Sequence, residues 1–297
     1  MKQELSILIP AYNSICTGIV ERLLKQCEAR EKTHGDFAYE IIVADDHSPH
    51  TAAIEANRAI AQMPHCRFIE KETNTGSAAT RNFLADESRY EWMLFLDCDM
   101  EIASSDFIDN YMDCDHQGVV NGGIAIAQGP KGNLRYLYEK ACEPNHTAEM
   151  RQKRPYHSFR STNFMIERRI MQQCRFDERF KKSGYEDVLF GKQLKKNGIE
   201  MHHIDNPTVM TDFESNADYM DKIDRSLQTL YTFRTDLRGF SQLITLNDNI
   251  HLGIVRWMLR MLHRCVECAE RKNLCSQYPS LKVFNLYRMG RYLTINH

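Results

Sequence analysis

Strand and helix patterns alternate through residues 1–100, and this alternation restricts the fold more than any other feature of the sequence. Short apolar runs typical of buried strands are separated by segments with helical spacing. In chain order these are a strand at 5–12, a helix at 18–30, a strand at 39–48, a helical segment at 51–62, a strand at 66–72, a helix at 75–88 and a strand at 90–97. This order predicts an α/β fold with a doubly wound, mostly parallel sheet.

The pattern is less regular after residue 118. It predicts a strand with a Gly-Gly break at 119–128, a strand at 161–171, an amphipathic helix at 184–198 and a strand at 199–205. The polar stretches at 129–133 and 143–158 are interpreted as mobile loops that serve as a lid or an acceptor loop. Helical periodicity dominates from about residue 217 onward, so we expect a helical C-terminal extension.

The composition is that of a soluble globular protein, with 42% hydrophobic and 26% charged residues in 297. We find neither a signal-peptide pattern nor an apolar run of about 18 residues that would cross a membrane. Ten cysteines are scattered along the chain, and the Cys265–Cys268 pair lacks the second pair that a zinc ribbon needs. We therefore expect free thiols and a cytoplasmic location, with a peripheral position at the inner membrane face left open.

The net charge of −2 conceals an asymmetry. Residues 251–297 carry eight Lys and Arg against two Glu, which leaves a net −8 on the first 250 residues. A basic tail on an acidic body indicates a partner surface for the tail. It argues against nucleic-acid binding, which needs a wider positive field.

Acidic residues stand where two predicted strands end. Asp45 and Asp46 close the strand at 39–48, and Asp97 and Asp99 close the strand at 90–97. Residues two apart in an extended segment face the same side, and like charges so close repel unless a cation lies between them. Because ligands bind outside the carboxyl ends of strands in such sheets, both acid pairs should face one crevice that holds a metal.

Five motifs in order, "ILIPAYN", "IIVADDHS", "NTGSAATRN", "FLDCDM" and "SGYEDVLFGKQL", make the chain resemble family 2 glycosyltransferases of the GT-A fold over about residues 4–215. The resemblance implies a Rossmann-like doubly wound mixed sheet. It also implies a catalytic domain at 1–215, with a nucleotide-binding half at about 1–100 and an acceptor half at about 101–215. Residues 216–297 would then form the helical extension.

By this resemblance, the loop after the first strand and the second acid of the "DD" pair hold the nucleobase. The corresponding residues are Pro10, Tyr12 and Asp46. A carboxylate that accepts from a base N–H suits uracil or a guanine edge, and a UDP-sugar is the expected donor. The alternative is that Asp45, Asp46 and Ser48 form only a turn and a helix cap.

The motif "NTGSAATRN" places Asn74 and Gly76 before a helix that carries Arg81. Glycine allows a close approach of the backbone to a ligand, and a helix N-terminus favours anions. The resemblance assigns Asn74 and Arg81 to nucleotide binding. The alternative is an ordinary helix with a surface arginine.

The resemblance also interprets the "DCD" segment. Asp97 lies near the ribose and Asp99 is the direct ligand of Mn²⁺ or Mg²⁺, with Asp97 sharing the metal. Hard oxygen ligands suit such a cation, which stabilises the departing nucleoside diphosphate. Many relatives place a histidine after the "NP" step where this chain has Met210, and His202 and His203 stand upstream of it. The identity of the third protein ligand therefore stays open. The alternative is that the two acids stand at this strand end by coincidence and bind no metal.

Glu186 and Asp187 open a helix, where the positive end of the dipole favours carboxylates. This favourable interaction with the helix dipole would by itself be sufficient to explain both acids. By resemblance Asp187 is the general base for the acceptor hydroxyl, and Glu186 holds the acceptor or the loop. A single displacement then inverts the anomeric configuration.

The leading hypothesis is therefore an inverting, metal-dependent hexosyltransferase. It would move a sugar from a nucleotide donor to a hydroxyl of a glycan or lipid-linked acceptor in surface polysaccharide synthesis. The alternative is a non-catalytic nucleotide-sugar-binding subunit of a glycan-synthesis complex. A nucleotidyltransferase is disfavoured because "IPAYNSICTG" contains no Lys or Arg for a phosphate loop.

The segment 250–272 is predicted to be an amphipathic helix. Its apolar stripe contains Val255, Met258, Leu262, Val266 and Ala269, and its basic residues are Arg256, Arg260 and Arg264. It either lies on an anionic membrane or packs on the catalytic domain or a second subunit. The packed arrangement is preferred because the segment also carries two glutamates.

Overall fold

The structure is a computed structural model that describes residues 2–182 and 184–295. Ser183, which opens the motif "SGYEDVLFGKQL", lies outside the described residues. So do the last two residues of the predicted C-terminal extension.

The first hundred residues fold as the alternation predicts. The strands are β1 (Glu4–Ala11), β2 (Ala38–Asp45), β3 (Cys66–Glu70) and β4 (Trp92–Leu96). The helices between them are α1 (Thr17–Thr33), α2 (Thr51–Asn57) and α3 (Ser77–Glu87). A 3₁₀ turn over Arg58–Gln62 continues α2. On α1 the buried side chains include Ile19, Leu23 and Cys27, as their spacing indicates.

The remaining strands are short. They are β5 (Met100–Glu101), β6 (Val119–Asn121), β7 (Ile124–Ile126), β8 (Asn163–Glu167), β9 (Met201–His203) and β10 (Thr208–Met210). The helices among them are α4 (Phe107–Met112), α5 (Leu134–Cys142), α6 (Ala148–Gln152), α7 (Arg168–Gln173) and α8 (Glu186–Lys196). In the described residues after β10, the elements are the helices α9 (Asn216–Thr232), α10 (Gln242–Asn249), α11 (Gly253–Leu274) and α12 (Leu281–Thr294).

Within the described residues the main sheet has seven strands in the order β3-β2-β1-β4-β8-β6-β9. The four strands β3, β2, β1 and β4 run parallel to one another. Strand β8 runs antiparallel to both β4 and β6, so the sheet is mixed. A second sheet combines β5, β10 and β7.

The acid-bearing strand ends lie at one edge of the main sheet. Asp45 ends β2 opposite Ala11 at the end of β1, and Asp97 directly follows β4, the other neighbour of β1. Since parallel strands direct their carboxyl ends the same way, the two acid pairs border a common crevice. The register agrees with the prediction that both pairs stand at carboxyl ends of neighbouring strands, and the metal between them stays a prediction.

Two apolar layers cover the two faces of the main sheet. Leu8 and Phe95 pack on the side of α3, α7 and α8, whereas Ile7 and Leu94 pack on the side of α1 and α4. Alternate strand residues therefore enter opposite layers, as expected for a sheet with helices on both faces. The doubly wound interpretation is confirmed.

The predicted single strand at 119–128 is wrong. Gly122 and Gly123 divide it into β6 of the main sheet and β7 of the second sheet. Gly123 has a φ of 86°, and a Cβ on Gly122 would come within 2.4 Å of the Asn206 carbonyl oxygen. Only glycine allows the chain to change sheets in so little space.

The predicted strand at 161–171 is correct only in its first half. Strand β8 ends at Glu167, which pairs with Trp92, the first residue of β4. After one more backbone hydrogen bond, from the Arg168 N–H to the Glu91 oxygen at 2.8 Å, the chain turns into α7 and buries Ile170 and Met171.

The polar stretch at 143–158 is not an open loop. It forms α6 with a short 3₁₀ turn on each side, over Glu143–Asn145 and Pro155–His157. Arg151 is buried, and its guanidinium donates to the backbone oxygens of Asn121 and Ile204. These bonds tie the segment to the ends of β6 and β9.

The C-terminal helices are present as expected, and α11 packs on α12 and α9 through a face other than its apolar stripe. Val255, Met258 and Leu262 of its apolar stripe are exposed, so the stripe does not pack on the catalytic domain. Arg256 and Arg260 instead face the protein, where both donate to backbone oxygens. Among the described residues, no helix is both long and apolar enough to cross a membrane.

Candidate active site

The turn after β2 is built on Asp45. Its carboxylate accepts hydrogen bonds from the backbone N–H and the hydroxyl of Ser48, at 2.8 and 2.6 Å. The Ser48 hydroxyl in turn accepts from the Asn13 N–H at 2.8 Å. Asp45 and Ser48 therefore form the turn that the sequence predicts as the alternative. This turn links the loops after β1 and β2.

Asp46 fixes the loop that precedes α3. Its buried carboxylate accepts from Lys71 Nζ at 2.6 Å, from the Gly76 N–H at 2.7 Å and from the Thr75 N–H at 3.0 Å. Burial would raise the pKa of Asp46, but these donors outweigh it, and the pKa lies below its ordinary value. The carboxylate is therefore ionised and largely occupied by protein donors.

The other predicted nucleobase residues surround this loop. Pro10 lies in β1 opposite Ala44, and the Tyr12 side chain, just beyond β1, is exposed. Asn74 donates from Nδ2 to the backbone oxygen of Asp46 at 2.9 Å. The structure thus brings Pro10, Tyr12, Asn74 and Asp46 to the same edge of the sheet.

Arg81 lies at the centre of the charged network. It is buried on α3 and donates from Nη2 to Asp97 Oδ1 at 2.7 Å, while Nη1 is 3.5 Å from Glu186 Oε1. Its guanidinium also lies over the Phe176 ring. Arg81 is therefore no surface residue, because it joins the carboxylate after β4 to the one that opens α8.

Glu186 is held on both sides of its carboxylate. Oε1 accepts from the Ser77 hydroxyl at 3.0 Å, and Oε2 accepts from the Gly184 N–H at 2.9 Å. The side chain is buried. These contacts attach the start of α8 to the start of α3, and the role of Glu186 toward an acceptor stays a prediction.

Asp187, the second acid of the pair, has a strongly raised pKa. It is partly exposed in the first turn of α8. Burial and the neighbouring Glu186 raise its pKa to about 7, against the opposing effects of the Val188 N–H, Arg160 and Arg81. A carboxylate with a pKa near neutrality exchanges a proton readily at physiological pH.

The backbone before this acid is unusual. Tyr185 adopts a left-handed conformation with a φ of 68°, and Gly184 has a φ of 113°. A bulky residue in this region is uncommon and is held there only by its surroundings. The turn directs Glu186 and Asp187 into the crevice, and the sequence contains no signal for it beyond Gly184.

Asp97 and Asp99 follow β4 as predicted, but their environments differ. Asp97 is partly buried against Arg81, whereas Asp99 is exposed to water within the crevice. The surrounding walls reduce the hydration of the Asp99 carboxylate, and this effect raises its pKa. The negative charge of Asp97 raises it further, whereas Arg135 and Lys222 lower it. A cation at Asp99 would relieve this unfavourable charge.

The residues present fit a divalent cation only through these two carboxylates. In the described parts of the chain, no three His, Cys, Asp or Glu side chains are grouped as a metal site. Met210 is buried in an apolar cluster with Met100, Ile126 and Tyr136. Two carboxylates with open positions are compatible with Mg²⁺ or Mn²⁺, which keep water and phosphate oxygens as further ligands.

Neither upstream histidine is placed as a third ligand. His203 is buried against Arg151 and the Pro155 backbone oxygen, and burial lowers its pKa to about 4. The His202 ring stacks on His116, with 4.1 Å between the ring centroids. Both β9 side chains therefore have structural partners elsewhere in the fold, and the open interpretation of them as metal ligands is not supported.

Several cationic residues near the acids were missed by the sequence reasoning. Arg135 from α5 and Lys222 from α9 both pair with Glu214 and influence Asp99. Arg160 influences Asp187, and Arg288 from α12 donates to the Tyr138 hydroxyl at 3.2 Å. No motif marks them, because they come from helices and a loop that are distant from the acids in sequence.

The comparison with known families agrees with this geometry. The family model for glycosyl transferase family 2 matches residues 6–175, which is more than half of the chain. The chain belongs to this family. The resemblance carried by the five motifs is thereby confirmed.

The curated relative is less informative about function. This family 2 chain is 32% identical over 142 residues to an uncharacterized glycosyltransferase of Haemophilus influenzae. The match covers 47% of this chain and 40% of the relative, so it spans less than half of that protein.

Solved structures share the fold over nearly the whole chain. S. aureus TarS 1–349 in complex with UDP-GlcNAc gives a TM-score of 0.53 at 18% identity, covering 98% of this chain and 90% of that one. Mannosyltransferase PcManGT of Pyrobaculum calidifontis, in complex with GDP-Man and Mn²⁺, gives 0.57 at 13% identity, covering 99% and 85%. At such identities the likeness shows the GT-A fold, and it confirms the predicted fold class.

Proposed function

We propose that this chain is a hexosyltransferase that transfers a sugar from a UDP-sugar to a hydroxyl of a glycan or lipid-linked acceptor, with inversion at the anomeric carbon. The observation that carries the proposal is geometric: in a chain of the family 2 glycosyltransferases, Arg81 joins Asp97, after β4, to Glu186, which opens α8. Asp187 follows Glu186 in the first turn of α8, and its raised pKa supports its role as a base. UDP and GDP-Man complexes of proteins with this fold support a nucleotide-sugar donor.

Asp187 would act as the general base. Its carboxylate takes the proton of the acceptor hydroxyl as that oxygen forms a bond to the anomeric carbon. The bond between the anomeric carbon and the diphosphate oxygen breaks, and its electron pair leaves with the nucleoside diphosphate. A single displacement of this kind inverts the configuration and needs no covalent nucleophile.

The donor would lie across the carboxyl ends of β1, β2 and β4. We propose that Pro10, Tyr12 and Asn74 contact the nucleobase and that Asp97 contacts the ribose. Asp46 contributes chiefly by fixing the loop around Gly76, since protein donors already occupy its carboxylate. Arg81 would act indirectly, by holding the Asp97 carboxylate in position through their hydrogen bond.

Asp99 and Asp97 would hold Mn²⁺ or Mg²⁺, and such a cation, when bound, neutralises charge on the diphosphate. The chain's own cations act in the same direction. Arg135 and Lys222 act electrostatically on Asp99, and they would stabilise the negative charge that develops on the leaving group.

We propose a division of the chain in keeping with this chemistry. Residues 1–215 form the catalytic domain, with donor binding in about 1–100 and acceptor binding in about 101–215, and 216–297 form the extension. Surface polysaccharide synthesis on the cytoplasmic side of the inner membrane is the proposed setting, which follows from the family resemblance.

The test combines nucleotide binding with turnover. UDP, GDP, CMP and dTDP are screened by thermal shift with and without Mn²⁺, and release of the nucleoside diphosphate is then measured from the matching donor. Asp187→Asn should bind the nucleotide like the wild type but lose at least about a hundredfold in turnover. Asp99→Asn should lose the metal-dependent thermal shift.

Asp115→Asn, an exposed acid outside the crevice, is the matched control and should change neither quantity. Full turnover in Asp187→Asn would exclude Asp187 as the base. Nucleotide binding without turnover on any acceptor would favour the non-catalytic subunit, which stays open because Met210, where many relatives have a histidine, is buried in an apolar cluster.

A further inference from the structure

The outward face of α11 is apolar. The side chains of Ile254, Trp257, Met258 and Leu262 are each more than half exposed, and Val255 adds to the same surface. Ile254, Met258 and Leu262 are four residues apart, and Trp257 and Val255 flank that row, so the five cover one side of the helix. We call these five residues the α11 apolar face. Contiguous exposed apolar surface of this kind marks an interaction site.

The inward face of the same helix is polar, which makes the arrangement the reverse of an ordinary surface helix. His263 is buried and lies 2.8 Å from Glu270, with Gly290 of α12 packed directly against its ring. Arg260 donates to the backbone oxygen of Leu293 at 2.9 Å. These contacts fix the orientation of α11, so the apolar face cannot turn inward without breaking them.

A cavity of about 290 Å³ opens beside the first turns of α11. Four arginines line it: Arg234, Arg238, Arg256 and Arg260. The acid among its lining residues is Asp248, which already pairs with Arg238 at 2.9 Å. Within the described part of the chain, the buried Nε of Arg256 has no hydrogen-bond partner. Guanidinium groups arranged in this way favour phosphate oxygens.

We propose that the α11 apolar face and the arginine-lined cavity together form a docking site for an anionic phospholipid membrane. The apolar side chains would insert at the boundary between headgroups and acyl chains, with the Trp257 indole at the interface. The cavity would receive a lipid phosphate.

Charge complementarity favours an anionic membrane over a second copy of the chain at this surface. The exposed cation Lys272 continues the outward side of α11, whereas Glu267 and Glu270 turn toward His263. Within the described helix α11, the acids are Glu267 and Glu270, so a second copy of the chain would bring the same basic outward side to the contact without an acid of α11 to match it. An anionic membrane supplies both the apolar phase and the negative charge.

Vesicle flotation of the full chain tests the proposal, without donor or metal, so that its result is independent of the proposed activity. The chain should float with vesicles of equal parts phosphatidylcholine and phosphatidylglycerol, and it should stay at the bottom with phosphatidylcholine alone. Trp257→Ser with Met258→Ser should weaken partitioning more than about tenfold. Arg234→Gln with Arg238→Gln should weaken it about fivefold for each lost cation.

Two exposed positions distant from the cavity provide matched controls. Tyr278→Ser removes an exposed aromatic residue beyond the end of α11, and Lys25→Gln removes an exposed cation on α1. Both should float like the wild type, and thermal unfolding checks that every variant is folded.

Three outcomes would overturn the proposal. The first is equal flotation with both vesicle types, and the second is unchanged flotation of the α11 or arginine variants. The third is a wild-type dimer in sedimentation that Trp257→Ser with Met258→Ser converts to a monomer, without any flotation. That result would make the α11 apolar face a contact between two copies.

Discussion

Two acids of the crevice have raised pKa values for different reasons. At Asp187 burial acts first and Glu186 second, and the pKa reaches about 7. At Asp99 the crevice walls act first and Asp97 second, and two cations oppose them. The first environment suits a group that must gain and lose a proton near neutral pH, and the second suits one that gains from a bound cation.

The pH dependence of turnover follows from Asp187. A base must be ionised to accept a proton, so kcat/KM should rise with pH through about 7 and level off above it. Below this point the rate should fall about tenfold for each pH unit. The nucleotide-induced thermal shift, measured over the same range, should stay flat, and a rate independent of pH between acidic and alkaline buffers would contradict the assignment.

The positions of the acids could be predicted from the sequence, but their partners could not. The spacing of Asp97 and Asp99 after an apolar strand is sufficient to place both at a strand end. The lysine that neutralises Asp46 comes from position 71, and the serine that holds Glu186 comes from position 77. Only the fold brings such distant residues together, so the loop-fixing role of Asp46 was not visible.

At the scale of elements, the turn into α3 depends on one glycine. Gly76 has a φ of 90°, and a Cβ there would come within 2.8 Å of the Lys181 backbone oxygen. The Gly76 N–H also donates to Asp46. The loop therefore has no room for a side chain between β3 and the segment that leads to α8.

Gly76→Ala should destabilise the fold by about 1–3 kcal/mol more than Gly198→Ala. Gly198 is the matched control because it also has a positive φ, 66°, but no atom lies within 4 Å of its added Cβ. Urea unfolding gives the comparison, and the nucleotide-induced thermal shift should fall in Gly76→Ala alone. Equal stability losses would mean that the Lys181 contact relaxes without cost.

The long elements were predictable from periodicity, and the short ones were not. Strands β1 and β2 have eight residues each and carry clear apolar runs. Strand β5 has two residues and β10 has three, too few for any period to be read. The division of 119–128 depends on the crowding of Gly122 by Asn206, which is a tertiary contact.

At the scale of the whole molecule, the C-terminal helices share a core with the catalytic body. Phe284 of α12 is fully buried, and its ring lies 5.2 Å from that of Tyr138 on α5 and 5.9 Å from that of Tyr219 on α9. The same helix delivers Arg288 to Tyr138.

Phe284→Ala should therefore lower the free energy of unfolding of the whole chain by about 3–5 kcal/mol. Leu286→Ala on the same helix is the control and should have little effect, since Leu286 is 65% exposed. Chemical denaturation monitored by tryptophan fluorescence and by circular dichroism should give coincident transitions. A separate early transition in Phe284→Ala would show that α12 unfolds independently of the body.

The position of β4 has a consequence for engineering. It pairs with β1 on one side and with β8 on the other, and the second pairing runs through all five of its residues. A chimaera that takes donor specificity from one parent and acceptor specificity from another, with its crossover near residue 100, would have to form a hybrid ladder in the centre of the sheet. Recombination libraries for this chain should therefore keep Trp92–Leu96 and Asn163–Glu167 from the same parent.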